Sequence, residues 1–135
     1  MRLETEDGPV IENPSADQLR EALAALGGAT GTFAFLTRQE SPLAFLQTSS
    51  EKNAFVVECR EGDKQFRAAD EAMPLEKTTA LFQAYLRGGD EWRGMAAWQD
   101  MTSELSGPRW VVPLLIFVAA LLIIALVLLY KTIKL

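Results

Sequence analysis

Apolar positions in this chain follow two regimes. Through Arg109 they alternate with polar ones at helical or strand intervals; across 111–130 they run unbroken apart from Pro113. In the first regime, Asn13-Pro14-Ser15 marks a helix start. Asn13 or Ser15 can cap, Pro14 suits the first turn, and Gln18 completes a Ser-x-x-Gln box. Leu19, Leu23 and Leu26 recur at i, i+4 and i+7, and Gly27-Gly28 ends the helix. Strand-like runs follow at 32–37 and 43–48, with 38–42 as a polar turn. Residues 54–60 alternate, with Phe55, Val57 and Cys59 on one face. Glu61-Gly62-Asp63-Lys64 then turns the chain into 65–68, which carries Phe66. Such short spacings favour an antiparallel meander.

Pro74 opens a second helix running to about Arg87, on which Leu75, Thr78, Leu81, Phe82, Tyr85 and Leu86 share a face. Residues 90–100 hold Trp92, Met95 and Trp98. The two tryptophans share a face on a strand but stand about 120° apart on a helix, so a last strand is expected here. Residues 1–12 read as a loose arm or a short opening strand at Val10 and Ile11. The expected fold class is α+β: a small antiparallel sheet with two packed helices, followed by a single C-terminal transmembrane helix. The expected organisation is an N-terminal arm at 1–12, the α+β domain at 13–105, a linker at 106–109, the spanning helix at 110–131 and a tail at 132–135.

The second regime carries that expectation of a span. At a rise of ~1.5 Å per residue, 20 helical residues cover ~30 Å, the thickness of a bilayer's hydrocarbon core. Fifteen of the 20 residues at 111–130 are Leu, Ile, Val or Phe, contributing roughly −5 to −9 kcal/mol to insertion with no charge opposing them. Trp110 and Tyr130 bracket the run as interfacial aromatics, and Arg109, Lys131 and Lys134 flank it as snorkelling cations. Gly107 and Pro108 break the chain before it. The acidic first dozen residues lack the apolar core of a secretory signal. A tail anchor in the cell's inner (plasma) membrane with a cytoplasmic domain is therefore expected. The flanking cations, one before the span and two after, count the other way. No polar side chain lies between Val111 and Leu129, so the helix alone has no groups for an ion or proton path. There is no Gly-xxx-Gly pair, so a plain anchor is expected ahead of a specific helix partner.

Charge and composition narrow the chemistry. The chain has 13 Lys+Arg, 18 Asp+Glu, one Cys and no His. All 18 acidic and 11 of the basic residues precede the apolar run, leaving about −7 on 1–109, a charge that repels nucleic acid and anionic headgroups. Without His, the usual Ser-His-Asp and Cys-His arrangements and His-containing zinc sites cannot be built. One Cys makes neither an intramolecular disulfide nor a thiolate cluster. Cys59 reads as a small buried hydrophobe, with a redox or acylated thiol as the alternative. The glycines of 27–31 follow a helix instead of opening one, so they do not aim helix N–H groups at phosphate. Glu58, Glu61, Asp63, Asp70 and Glu71 have no recognisable metal or acid/base spacing. No catalytic residue, cofactor or metal is expected.

The remaining distinctive string is Leu81-Phe82-Gln83-Ala84-Tyr85-Leu86-Arg87-Gly88-Gly89-Asp90-Glu91-Trp92-Arg93, ending in Ala97-Trp98-Gln99. Phe55-Val56-Val57-Glu58-Cys59-Arg60 and Lys64-Gln65-Phe66-Arg67 stand upstream, after Asn13-Pro14 and its helix. In this order, over about residues 11–101, the chain resembles small bacterial α+β domains of the immunity-protein type. The resemblance implies a non-catalytic domain that neutralises a partner protein, although a terminal anchor departs from the usual soluble form. Trp92 and Trp98, with Tyr85, Arg87 and Arg93, are the candidate interface. The competing reading is that the tryptophans complete the core. Arg60, Arg67, Arg87 and Arg93 form either a cationic ridge or scattered surface charge. The expected function is a non-enzymatic, single-pass, tail-anchored protein. Its acidic domain binds a protein partner, as an accessory subunit of a membrane complex or as an immunity-like neutraliser. The alternatives are a self-associating membrane scaffold and an enzyme built on carboxylates such as Glu58, Asp63, Asp70 and Glu91.

Overall fold

A computed structural model describes residues 1–27 and 32–105. Its elements are β1 (Arg2–Thr5), β2 (Ile11–Glu12), α1 (Ala16–Leu26), β3 (Thr32–Arg38), β4 (Ser41–Glu51), β5 (Ala54–Glu61) and β6 (Lys64–Ala68). They continue with α2 (Leu75–Leu86), a 3-10 turn (Glu91–Met95), β7 (Trp98–Asp100) and a short α3 (Thr102–Leu105). Residues Met1–Thr102 form one compact unit and a second begins at Ser103. The expected linker, spanning helix and tail, with Arg109, Trp110, Tyr130, Lys131 and Lys134, lie outside the described residues. Among the described residues, no helix is long and apolar enough to cross a membrane.

The architecture is α+β, with seven strands in the order β2-β1-β3-β4-β5-β6-β7, every pair antiparallel. Residues 1–12 are more than a loose arm: β1 pairs along β3 from Arg2↔Thr37 to Thr5↔Ala34, and β2 closes the edge. Alternation explains the recruitment, since Leu3 points into the core while Arg2 and Glu4 point out. The turn expected at 38–42 shrinks to Gln39-Glu40, because Arg38 pairs with Ser41 after a bulge at Thr37/Arg38. The β4–β5 turn was not foreseen. There Lys52 and Asn53 both take positive φ, 50° and 65°, as a two-residue hairpin of the primed type requires.

Both long helices pack on one face of the sheet. Ser15 caps α1 and exchanges both bonds of the capping box with Gln18. Asn13 is no cap. At φ 50° it accepts from the Met1 ammonium (3.2 Å) and donates its N–H to the Met1 carbonyl (2.7 Å). Pro14 therefore precedes the cap instead of sitting in the first turn. Leu19, Leu23 and Leu26 of α1 and Leu81, Phe82 and Tyr85 of α2 meet Leu36, Leu46, Phe55, Val57 and Cys59 of the sheet. Each core strand therefore turns every second side chain to the helices.

The expected strand over 90–100 divides. Glu91–Met95 coils as a 3-10 turn, with the Arg93 N–H bonded to the Asp90 carbonyl (3.0 Å), and only Trp98–Asp100 extends, against β6. The reason is reach: after Gly89 the chain must drop Trp92 into the core before it can come alongside β6. Trp92 and Trp98 still meet, ring centroids 5.5 Å apart, but through that turn and not along one strand face.

Candidate functional site

The sequence pointed to Trp92, Trp98, Tyr85, Arg87 and Arg93, and the structure separates this group. Trp92 is 1% exposed and Tyr85 is 2% exposed. Their rings lie edge to face at 5.2 Å, and Trp98 also packs edge to face on Trp92, at 5.5 Å. Trp98 is half-buried and donates its indole N–H to the Arg93 carbonyl (3.0 Å). The tryptophans are thus core and core margin. Burial raises the Tyr85 phenol above its usual range, and Arg38, whose guanidinium lies 4.9 Å from the ring centroid, partly opposes that shift.

The arginines remain outside, and each is engaged. Arg93 makes a bidentate ion pair with Glu61, bonds Asp90 (3.1 Å) and stacks 4.8 Å over Trp92. Hydrogen bonding to Glu61 raises its pKa further. Arg87 pairs with Glu91 (3.2 Å). Arg67 pairs with Glu58 (2.6 Å) and reaches Glu71 (3.8 Å), while Arg60 donates to the Gly62 carbonyl (3.0 Å). Arg60 and Arg67 stand on adjacent strands, whereas Arg87 and Arg93 follow α2. Three of the four are paired with carboxylates, so they do not present bare positive charge.

The carboxylates divide in the same way. Glu58 meets Arg67, Glu61 meets Arg93, and Asp70 meets Lys77 (3.5 Å). Among the described residues, no group of three or more acidic or Cys side chains is placed to hold a metal. Cys59 is buried beside Phe55 and Val57 on the core side of β5. Burial, reinforced by the negative charge of Glu61, pushes its thiol up to about 12, so it has no thiolate character near neutral pH.

What the sequence reading missed lies on the opposite face of the sheet. Across the strands, one outward row runs Glu4, Phe35, Gln47, Glu58 and Arg67, and beside it stand Phe33, Ser49 and Val56. Phe45 faces the same way one row further on. The rings of Phe33, Phe35 and Phe45 form an edge-to-face chain, with centroids 5.2 and 5.7 Å apart. Phe33 is 38% exposed, and Phe35, Phe45 and Val56 are half-buried. A notch of about 150 Å³ opens between Phe33, Phe35, Gln47, Val56 and Glu58. Glu58 closes its polar side, held by Gln47 and Arg67.

Among the described residues, no helix covers this face. An antiparallel sheet with one wet face ordinarily reads apolar-in and polar-out, but the middle of β3 is apolar on both faces. The signal was present in Thr-Phe-Ala-Phe-Leu-Thr, where Phe33 and Phe35 alternate with Ala34 and Leu36. It could not be assigned before the sheet order made β3 a central strand with helices on one side. Compared with protein families, with curated proteins and with solved structures, the chain finds no match.

Proposed function

We propose that this chain is a non-catalytic, membrane-held binding module whose uncovered sheet face docks a protein partner. The observation that carries this reading is the aromatic chain Phe33–Phe35–Phe45 on a central pair of strands, which no helix covers among the described residues. A contiguous exposed apolar patch rimmed by polar groups is characteristic of an interaction surface. Its composition, aromatic at the centre with charged Glu58 and Arg67 at the margin, is that of a protein–protein interface. The apolar run at 111–130 supports placement at a bilayer, where the partner would be a membrane complex or a protein acting beside one. An accessory subunit and an immunity-like neutraliser are two forms of the same reading. Pairing with a second copy through this face is disfavoured, because two domains of about −7 repel.

The test compares the intact wild-type chain with Phe35→Ser and with the Phe33→Ser/Phe45→Ser pair, all extracted in a mild uncharged detergent. A partner that co-purifies with wild type should be lost from both variants, while their unfolding midpoints stay close to wild type. Retention of the partner by both variants would overturn the proposal. Recovery of a homodimer abolished by the same substitutions would favour the scaffold alternative.

A further inference from the structure

On the other side of the sheet, the β1–β2 hairpin and α1 leave a cleft of about 500 Å³ between them, within the ~300–1,000 Å³ range of built ligand sites. Its floor is apolar, from Leu3 and Ile11 of the strands and Ala22 of the helix. Its lining also carries three carboxylates, Glu6 and Asp7 from the hairpin loop and Glu21 from α1. Among the described residues, no Lys or Arg lines it. Neighbouring carboxylates all have cationic partners, Glu4 and Glu12 on Arg2 and Asp17 on Arg20. Among the described residues, Glu6, Asp7 and Glu21 have none. Thr32 adds a buried hydroxyl without a hydrogen-bond partner to the same lining.

We propose that this cleft receives a basic amphipathic segment of a partner protein. One apolar side chain would fill the floor, and flanking Lys or Arg would meet the carboxylates. The complement is specific in sign, since three carboxylates left without partners around an apolar floor favour a ligand that brings both cation and hydrocarbon. Segments of this kind flank membrane spans on the cytoplasmic side, where Lys and Arg concentrate. The inference rests on the protein-partner reading above but uses a different surface.

The probe is a short dye-labelled Lys/Leu amphipathic peptide, with a Glu/Leu counterpart as control. It is titrated by fluorescence anisotropy into the full chain in uncharged maltoside micelles. Wild type should bind the Lys/Leu peptide saturably and the Glu/Leu peptide far more weakly. Ala25→Phe, at an exposed α1 position lining the cleft, blocks the floor without changing charge and should weaken binding about tenfold, the loss of one well-filled apolar contact. Asp7→Lys/Glu21→Lys should weaken it by about tenfold at low salt and by less at high salt, since screened surface charges carry the term. All variants share the same anchor, so partition of peptide into micelles cancels between them. Phe35→Ser should bind the peptide as wild type does, which separates failure here from failure of the sheet-face reading. The proposal is overturned by absence of saturable binding, by unchanged binding to Ala25→Phe, or by equal binding of the two peptides.

Discussion

Trp92→Ala offers the sharpest test of whether the tryptophan cluster is core or contact surface. Trp92 is 1% exposed, between Tyr85 at 5.2 Å and Trp98 at 5.5 Å. A buried indole removes roughly 150–250 Å² from water, which at ~25 cal/mol per Å² amounts to roughly 4–6 kcal/mol. Truncations of this kind cost about 3–5 kcal/mol when the surroundings partly relax. An expected loss of about 4 kcal/mol is a large share of the ~5–15 kcal/mol that holds a domain together. Trp92→Phe separates shape from hydrogen bonding. Among the described residues the Trp92 indole N–H has no hydrogen-bond partner, so the smaller ring forfeits packing alone and should cost under about half the alanine value. The assay is chemical unfolding of the full chain in maltoside micelles, followed by far-UV circular dichroism. Trp92→Ala within about 0.5 kcal/mol of wild type, the range of ordinary surface substitutions, would refute the core assignment.

Three further outcomes follow from the same geometry. Ser15→Ala removes the side-chain half of the α1 capping box and should lower stability by about 1 kcal/mol, read from the urea midpoint at unchanged m-value. Arg93→Ala breaks the Glu61 and Asp90 contacts at a half-exposed site. It should cost about 1 kcal/mol or less, and the difference from wild type should shrink in high salt. Cys59 and Tyr85 are both held neutral by burial. Raised folded-state pKa values mean that their stabilisation is complete below the unfolded values and is lost as pH rises through the folded ones. For Cys59 that window runs from 9.0 to about 12. Wild type should therefore lose stability in this alkaline range, Cys59→Ala should lose it less steeply, and a thiol reagent at neutral pH should label Cys59 only after denaturation.

Much of the fold is legible in the sequence, because its determinants are local. The Ser15/Gln18 box, the leucine spacing of α1, the alternation of Phe55, Val57 and Cys59, and the shared face of α2 are written in residues close in sequence. The α+β class follows from those patterns. Absence of His likewise removes whole classes of chemistry without any structure.

Other features depend on contacts distant in sequence. Val10 and Ile11 announce a short strand, found as β2 at Ile11–Glu12, but nothing local announces Arg2–Thr5, where Leu3 finds Leu36 and the segment zips along β3. The segment at 90–100 has a strand-like tryptophan spacing, but the need to bury Trp92 beneath Tyr85 coils it first. The exposure of the aromatic residues was settled in the same way. An aromatic side chain announces its type in sequence, whereas its exposure is set by what packs over it. Trp92 and Tyr85 were claimed by the core, while Phe33, Phe35 and Phe45 stand on the side of the sheet away from α1 and α2. Element type follows from the short-range periodicity of side chains. Which face meets water is a property of the assembled layers, and only the tertiary structure decides it.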